Sequence, residues 1–153
     1  MPQKRKKLPT ADTRLRNTIN ILQSKVYKYI KELSKVYSVT VGTDLRAGLK
    51  DLNVAFTKAY LTYNKDEKTR YIMDMIVALE YMACVTNAST NDGATHASVE
   101  DLLTSMLDAF EQTEKWGKYN ASRDGVSIGE NPTVPNVQEL DGYIPEGLGQ
   151  LEG

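Results

Sequence analysis

The sequence predicts an all-α protein: an antiparallel four-helix bundle with an irregular acidic C-terminal tail. Three observations carry that prediction. Apolar residues recur at steps of three and four in four separate segments, which is the spacing of one helix face. The links between these segments are mostly short, as antiparallel neighbours in a bundle require. No segment reads as a strand, and the chain of 153 residues suits one domain with its own core.

The first helix is expected over 13–38. Leu15, Ile19, Leu22, Val26, Ile30, Leu33 and Tyr37 form its apolar stripe. Thr10 or Asp12 is placed to cap it, since a short side-chain oxygen accepts an orphan backbone N–H. The β-branched run Val39-Thr40-Val41 and then Gly42 interrupt the pattern. A second helix follows over 44–63, capped by Thr43, with Leu45, Leu49, Leu52, Phe56, Ala59 and Tyr63 facing inward. Gly48 within it costs up to about 1 kcal/mol against alanine, and a close helix contact is a reason to keep it.

Asn64 caps the third helix, 65–87, with Glu67 three residues on in the manner of a capping box. Ile72, Met75, Ile76, Leu79, Met82 and Ala83 are its core positions. Residues 87–93 are dense in turn formers and read as a polar loop. The fourth helix begins near Ser98 and carries Val99, Leu102, Leu103, Met106, Leu107 and Phe110 to about Lys115, with Gly117 as its stop. The expected division is a basic arm over 1–11, the bundle over 12–119 and the tail over 120–153. That last stretch holds 6 Gly and 3 Pro and shows no helical period.

Charge is distributed unevenly. Residues 1–70 hold 16 Lys+Arg against 6 Asp+Glu, residues 71–123 hold 3 against 8, and residues 124–153 hold 6 acids and no base. The formal net charge of -1 thus conceals a basic half and an acidic half. No apolar run approaches the roughly 18 residues of a membrane span. The N-terminus has no apolar segment after its basic residues, and Cys84 is the single cysteine. A cytoplasmic protein without a membrane partner is expected.

Signs of catalysis are sparse. Metal sites in bundles use paired Glu-x-x-His motifs and zinc needs three or four ligands, whereas this chain has one histidine, His96. No metal site, cofactor or catalytic residue is assigned, and a non-enzymatic protein is expected. Cys84, among apolar neighbours in the third helix, reads as a packed, inert thiol. Glu80 reads as solvent-facing. Gly125 and Gly129 open no helix and make no phosphate loop.

The basic residues carry more information. Lys4, Arg5, Lys6, Lys7, Arg14 and Arg16 cluster at the start. Lys25, Lys28, Lys31 and Lys35 step by three, three and four, a stripe along the first helix nearly opposite its apolar face. Arg46 and Lys50 add charge on the second. One reading is a solvated surface. The other is a phosphate-tracking face, where lysines gain affinity by releasing counterions. Tyr27, Tyr29, Tyr71 and Trp116 are candidates to stack on unpaired bases, and equally candidates for core or interface.

The run YKYIKELSKVYSVTVGTDLRAGLKDLNVAFTKAYLTYNKDEKTRYIMDMIVALE adds a resemblance. Tyr29-Ile30 and Leu33 lie in the first helix, and Gly42 precedes Leu45-Arg46. Ala59-Tyr60 closes the second helix before Asp66 and Lys68 open the third. Leu79-Glu80 lies inside the third, and Trp116-Gly117-Lys118 ends the fourth. In that order and spacing, residues 19–118 resemble the accessory variability determinant family of diversity-generating retroelements and the related ribosomal-RNA intervening-sequence proteins. The resemblance implies a four-helix bundle that assembles as a homopentamer. It implies binding of a reverse transcriptase and its template RNA, in support of mutagenic reverse transcription performed by that separate polymerase chain. Two features depart from the family's pattern: residues 71–118 carry only Lys115 and Lys118 as bases, and the tail is acidic. The alternative is a four-helix-bundle protein–protein interaction module without a nucleic-acid role.

Overall fold

The computed structural model describes residues 14–91 and 98–122. They form four α-helices: α1 Arg14–Glu32, α2 Lys35–Leu61, α3 Lys65–Asn91 and α4 Val99–Ser122. Contacts run α1 to α2, α2 to α3, α3 to α4 and α4 back to α1, which closes a square. Cross-helix pairs fix each neighbour as antiparallel. Arg16 near the start of α1 meets Phe56 late in α2, Lys58 late in α2 meets Tyr71 early in α3, Asn120 late in α4 meets Lys65 and Thr69 early in α3, and Thr18 near the start of α1 meets Gln112 late in α4. The arrangement is an antiparallel four-helix bundle.

Leu15, Ile19, Leu22, Val26, Leu45, Leu52, Phe56, Met75, Leu79, Met82, Leu102 and Trp116 are essentially removed from solvent. Each large apolar side chain so buried contributes about 1.5–3 kcal/mol. Tyr29 is also fully buried. Its hydroxyl lies 2.8 Å from Ser89 Oγ on the diagonally opposite α3, and Ser89 Oγ donates to the Thr86 carbonyl at 2.7 Å.

Three boundaries differ from the sequence-based expectation. The α1–α2 break falls at Leu33-Ser34, not at 39–43. Ser34 is extended with ψ 161, the Leu33 N–H closes back on the Ile30 carbonyl at 3.2 Å, and the Ser38 N–H then accepts its place in α2 by donating to the Ser34 carbonyl at 2.7 Å. The run Val39-Thr40-Val41 lies inside α2. The Thr40 and Thr43 hydroxyls donate to the Val36 and Val39 carbonyls, so Thr43 is not a cap. Gly42 is buried against Ile30, whose Cγ2 would lie 3.1 Å from a Cβ at that position.

Helix α3 continues to Asn91, and within it Thr86, Ser89 and Thr90 turn their hydroxyls back onto carbonyls of the same helix, which accommodates them there. Helix α4 passes Gly117 and reaches Ser122. There Asn120 Nδ2 donates to Thr69 Oγ1 at 3.0 Å and to the Lys65 carbonyl at 3.2 Å, tying the end of α4 to the start of α3. The Asn64 cap is present: its Oδ1 accepts from the N–H groups of Asp66 and Glu67, both at 3.0 Å. Tyr63 and Leu107, expected inside, are exposed. Thr10, Asp12, His96, the arm over 1–11 and residues 123–153 of the tail lie outside the described residues.

Candidate nucleic-acid interface

The helix contacts are uneven. The α2–α3 pair is the most extensive and α1–α2 the least. Side chains bridge α1 and α2: Asn53 Nδ2 donates to Gln23 Oε1 at 3.2 Å, and the Arg16 guanidinium lies 4.2 Å above the Phe56 ring. Between these helices lies an open groove of about 660 Å³ lined by Gln23, Tyr27, Arg46, Leu49, Lys50 and Asn53.

The structure sorts the candidate cations. Lys28 and Lys31 are exposed on α1, and Lys35, Arg46 and Lys50 are exposed on α2. Lys35 begins α2, so the four lysines do not share one helix as the spacing suggested. Lys31 is four residues beyond Tyr27 and shares its side of α1. Lys35 and Arg46, eleven residues apart, share one side of α2. Neither Lys28, Lys31, Lys35, Arg46 nor Lys50 makes an ion pair among the described residues. The nearby acids flank these cations and make no ion pair with them among the described residues. Glu32 accepts from Ser98 Oγ at 3.1 Å, and Asp51 lines the groove between α2 and α3. Asp44, seven residues before Asp51, shares its side.

Lys25 is committed differently, pairing with Asp101 of α4 at 2.8 Å. Arg14 is exposed at the start of α1. Arg16 is half-buried, and burial lowers its pKa, against which the neighbouring Tyr60 raises it. Its ring contact belongs to a column through all four helices. Arg16 of α1 covers Phe56 of α2, Phe56 packs at 5.8 Å on Trp116 of α4, and Lys68 of α3 stands 5.2 Å above Trp116. Each such cation–ring contact contributes about 0.5–2 kcal/mol, more where solvent is excluded. Lys4, Arg5, Lys6 and Lys7 lie outside the described residues.

The stacking candidates separate as well. Tyr29 and Trp116 are buried, Tyr71 is half-buried under Lys58 at 5.7 Å, and Tyr27 is exposed. Gln23 and Asn53 were not singled out in the sequence. The available signal was the Gln23–Tyr27 spacing of four, which the structure realises as a hydrogen bond from Gln23 Nε2 to the Tyr27 hydroxyl at 3.3 Å.

A second groove, of about 620 Å³, lies between α2 and α3. Its walls are mostly apolar, among them Ala47, Val54, Val77, Ala78 and Tyr81. Val36, Val39, Leu61 and Met73 add exposed apolar surface on the same two helices. Cys84 is exposed on α3 and not packed as expected. It lies one helical turn beyond the exposed Glu80, on the outer side of the helix. Among the described residues, no three His, Cys, Asp or Glu side chains gather as metal ligands, and no helix is long and apolar enough to cross a membrane. No family model, curated protein or solved structure matches the chain.

Proposed function

We propose that this chain is a non-enzymatic accessory protein of a diversity-generating retroelement. On this reading it binds a reverse transcriptase and its template RNA in the cytoplasm, as a homopentamer, and supports mutagenic reverse transcription. The observation that carries the proposal is the cluster of exposed cations on the α1–α2 face. Lys28, Lys31, Lys35, Arg46 and Lys50 stand exposed along it without ion-pair partners among the described residues. Such a face gains binding free energy from each phosphate it neutralises, through counterion release. The bundle has the architecture that the family resemblance implies, and the exposed apolar surface of α2 and α3 supports contact with further protein chains.

The same apolar surface favours a second reading, a protein–protein interaction module whose lysines serve only to solvate it. RNA binding measured across a salt series separates the two. The retroelement reading expects affinity to fall steeply and log-linearly with salt, and light scattering to give about five chains per particle. A clean monomer without RNA affinity at low salt removes it in favour of the interaction module.

A further inference from the structure

We propose that the α1–α2 groove is a single-stranded RNA site, in which an unpaired base stacks on Tyr27 while Arg46 and Lys50 hold the adjoining phosphates. The proposal rests on the RNA-binding reading above and names the form of RNA that this face takes.

Four properties of the groove lead there. First, Tyr27 is the one candidate stacking residue that is both exposed and set among cations. Tyr81 is exposed in the other groove, where Asp51 and Asp74 offset the charge of Lys50 and Lys58, a poorer setting for phosphate than a groove whose charged lining is Arg46 and Lys50 alone. Second, the ring is held in place. Gln23 donates to its hydroxyl, Asn53 donates to Gln23, and Asn53 donates again to the Leu49 carbonyl at 2.9 Å. A preordered ring loses little freedom on binding.

Third, hydrogen-bonding capacity remains. Both amide hydrogens of Asn53 are used, by Gln23 and Leu49, which leaves its Oδ1 as an acceptor. Gln23 keeps one amide hydrogen as a donor. A base edge offers the complementary groups. Fourth, size and spacing agree. The groove is about 660 Å³, within the roughly 300–1,000 Å³ of small-molecule sites, and Arg46 and Lys50 stand one helical turn apart, about 6 Å along the axis. A duplex keeps its bases stacked inside and presents phosphates and 2′-hydroxyls, so it engages the cations and leaves Tyr27 unused.

The test is fluorescence anisotropy with a labelled single-stranded RNA of about 20 nucleotides and with the same strand annealed to its complement. The single strand is expected to bind more tightly than the duplex. Tyr27→Ala is expected to weaken single-strand binding by about 5- to 150-fold, the range of one lost base–aromatic stack, and to leave duplex binding and the salt slope unchanged. Tyr27→Phe keeps the ring and loses only the Gln23 hydrogen bond that orders it, so it is expected to bind more tightly than Tyr27→Ala and close to wild type, and Tyr63→Ala, outside the groove, serves as the neutral control. Arg46→Ala and Lys50→Ala are each expected to reduce the single-strand salt slope by about 0.7. If Tyr27→Ala binds the single strand as wild type does while the two cation variants weaken it, the base site is overturned and the phosphate-binding face stands. If the wild-type protein binds neither RNA at low salt, both proposals fall.

Discussion

Replacing Gly48 by alanine sets two opposing effects against each other at a close contact between α2 and α3. Gly48 is buried in the middle of α2. A Cβ there would lie 2.5 Å from Cγ of Met82 and 3.3 Å from both Met82 Sδ and Tyr81 Cδ2, whereas carbon atoms in contact settle at about 3.5–4.0 Å. Alanine gains up to about 1 kcal/mol over glycine in helix propensity. Overpacking a filled core costs about 1–3 kcal/mol. Met82 is fully buried, and its Cγ is near the root of the side chain, so relief requires moving the whole side chain and the cost falls in the upper part of that range. The expected net effect is a loss of about 1 kcal/mol, seen as a fall in Tm of about 4 °C. Thermal unfolding followed by circular dichroism measures it. In a Met82→Ala background the 2.5 Å obstruction is gone and the remaining close approach is to the ring of the exposed Tyr81, which can give way, so the same glycine substitution should stabilise by up to about 1 kcal/mol. A rise in Tm in the wild-type background, or an equal fall in both backgrounds, refutes the packing argument.

Two further substitutions test other parts of the bundle. Trp116→Ala removes the ring between Phe56 and Lys68 and should cost about 3–5 kcal/mol, read as a large drop in the urea midpoint; a loss under about 1 kcal/mol would show that the column is not a keystone of the core. Asn64→Ala leaves the Asp66 and Glu67 N–H groups without their acceptor and should cost about 1 kcal/mol, whereas Asn64→Ser should recover most of it, and equal stability of all three proteins would contradict the cap.

Much of the bundle was legible because its core positions keep step with the helix. Leu15 through Leu33, Leu45 through Ala59, and Ile72, Met75, Leu79 and Met82 are buried where the period put them, while Ile76 is half-buried. The α1–α2 break escaped the same logic for a physical reason. Leu33 is buried and Tyr37 packs against the core on the far side of the break, so the apolar spacing runs through the turn without a fault. Polar residues misled in the opposite direction. Ser89 and Thr90 look like turn formers, yet each finds its acceptor in the preceding turn of α3, and the helix continues. The lysine face was half legible. Charge and spacing pointed to α1 and α2, but only the fold shows Lys25 taken by Asp101 and Arg16 drawn over Phe56. The groove between the helices depends on how closely their backbones approach, which no single helix period encodes.

Folding order follows from the unequal helix contacts. Helices α2 and α3 share the broadest interface and are joined only by residues 62–64, so closing that hairpin costs little chain entropy. Helix α1 gains less from α2 and must reach across to α4, at the far end of the sequence. The hairpin is therefore the expected nucleus, with α1 docking after the barrier. In stopped-flow unfolding and refolding, Met82→Ala, at the Gly48 contact, should mainly slow folding, and Ile19→Ala in α1 should mainly hasten unfolding. The reverse pattern would place the nucleus on the α1–α4 side. With α1 outside the nucleus, the face that carries Tyr27 and Lys31 is completed only after the folding barrier has been crossed.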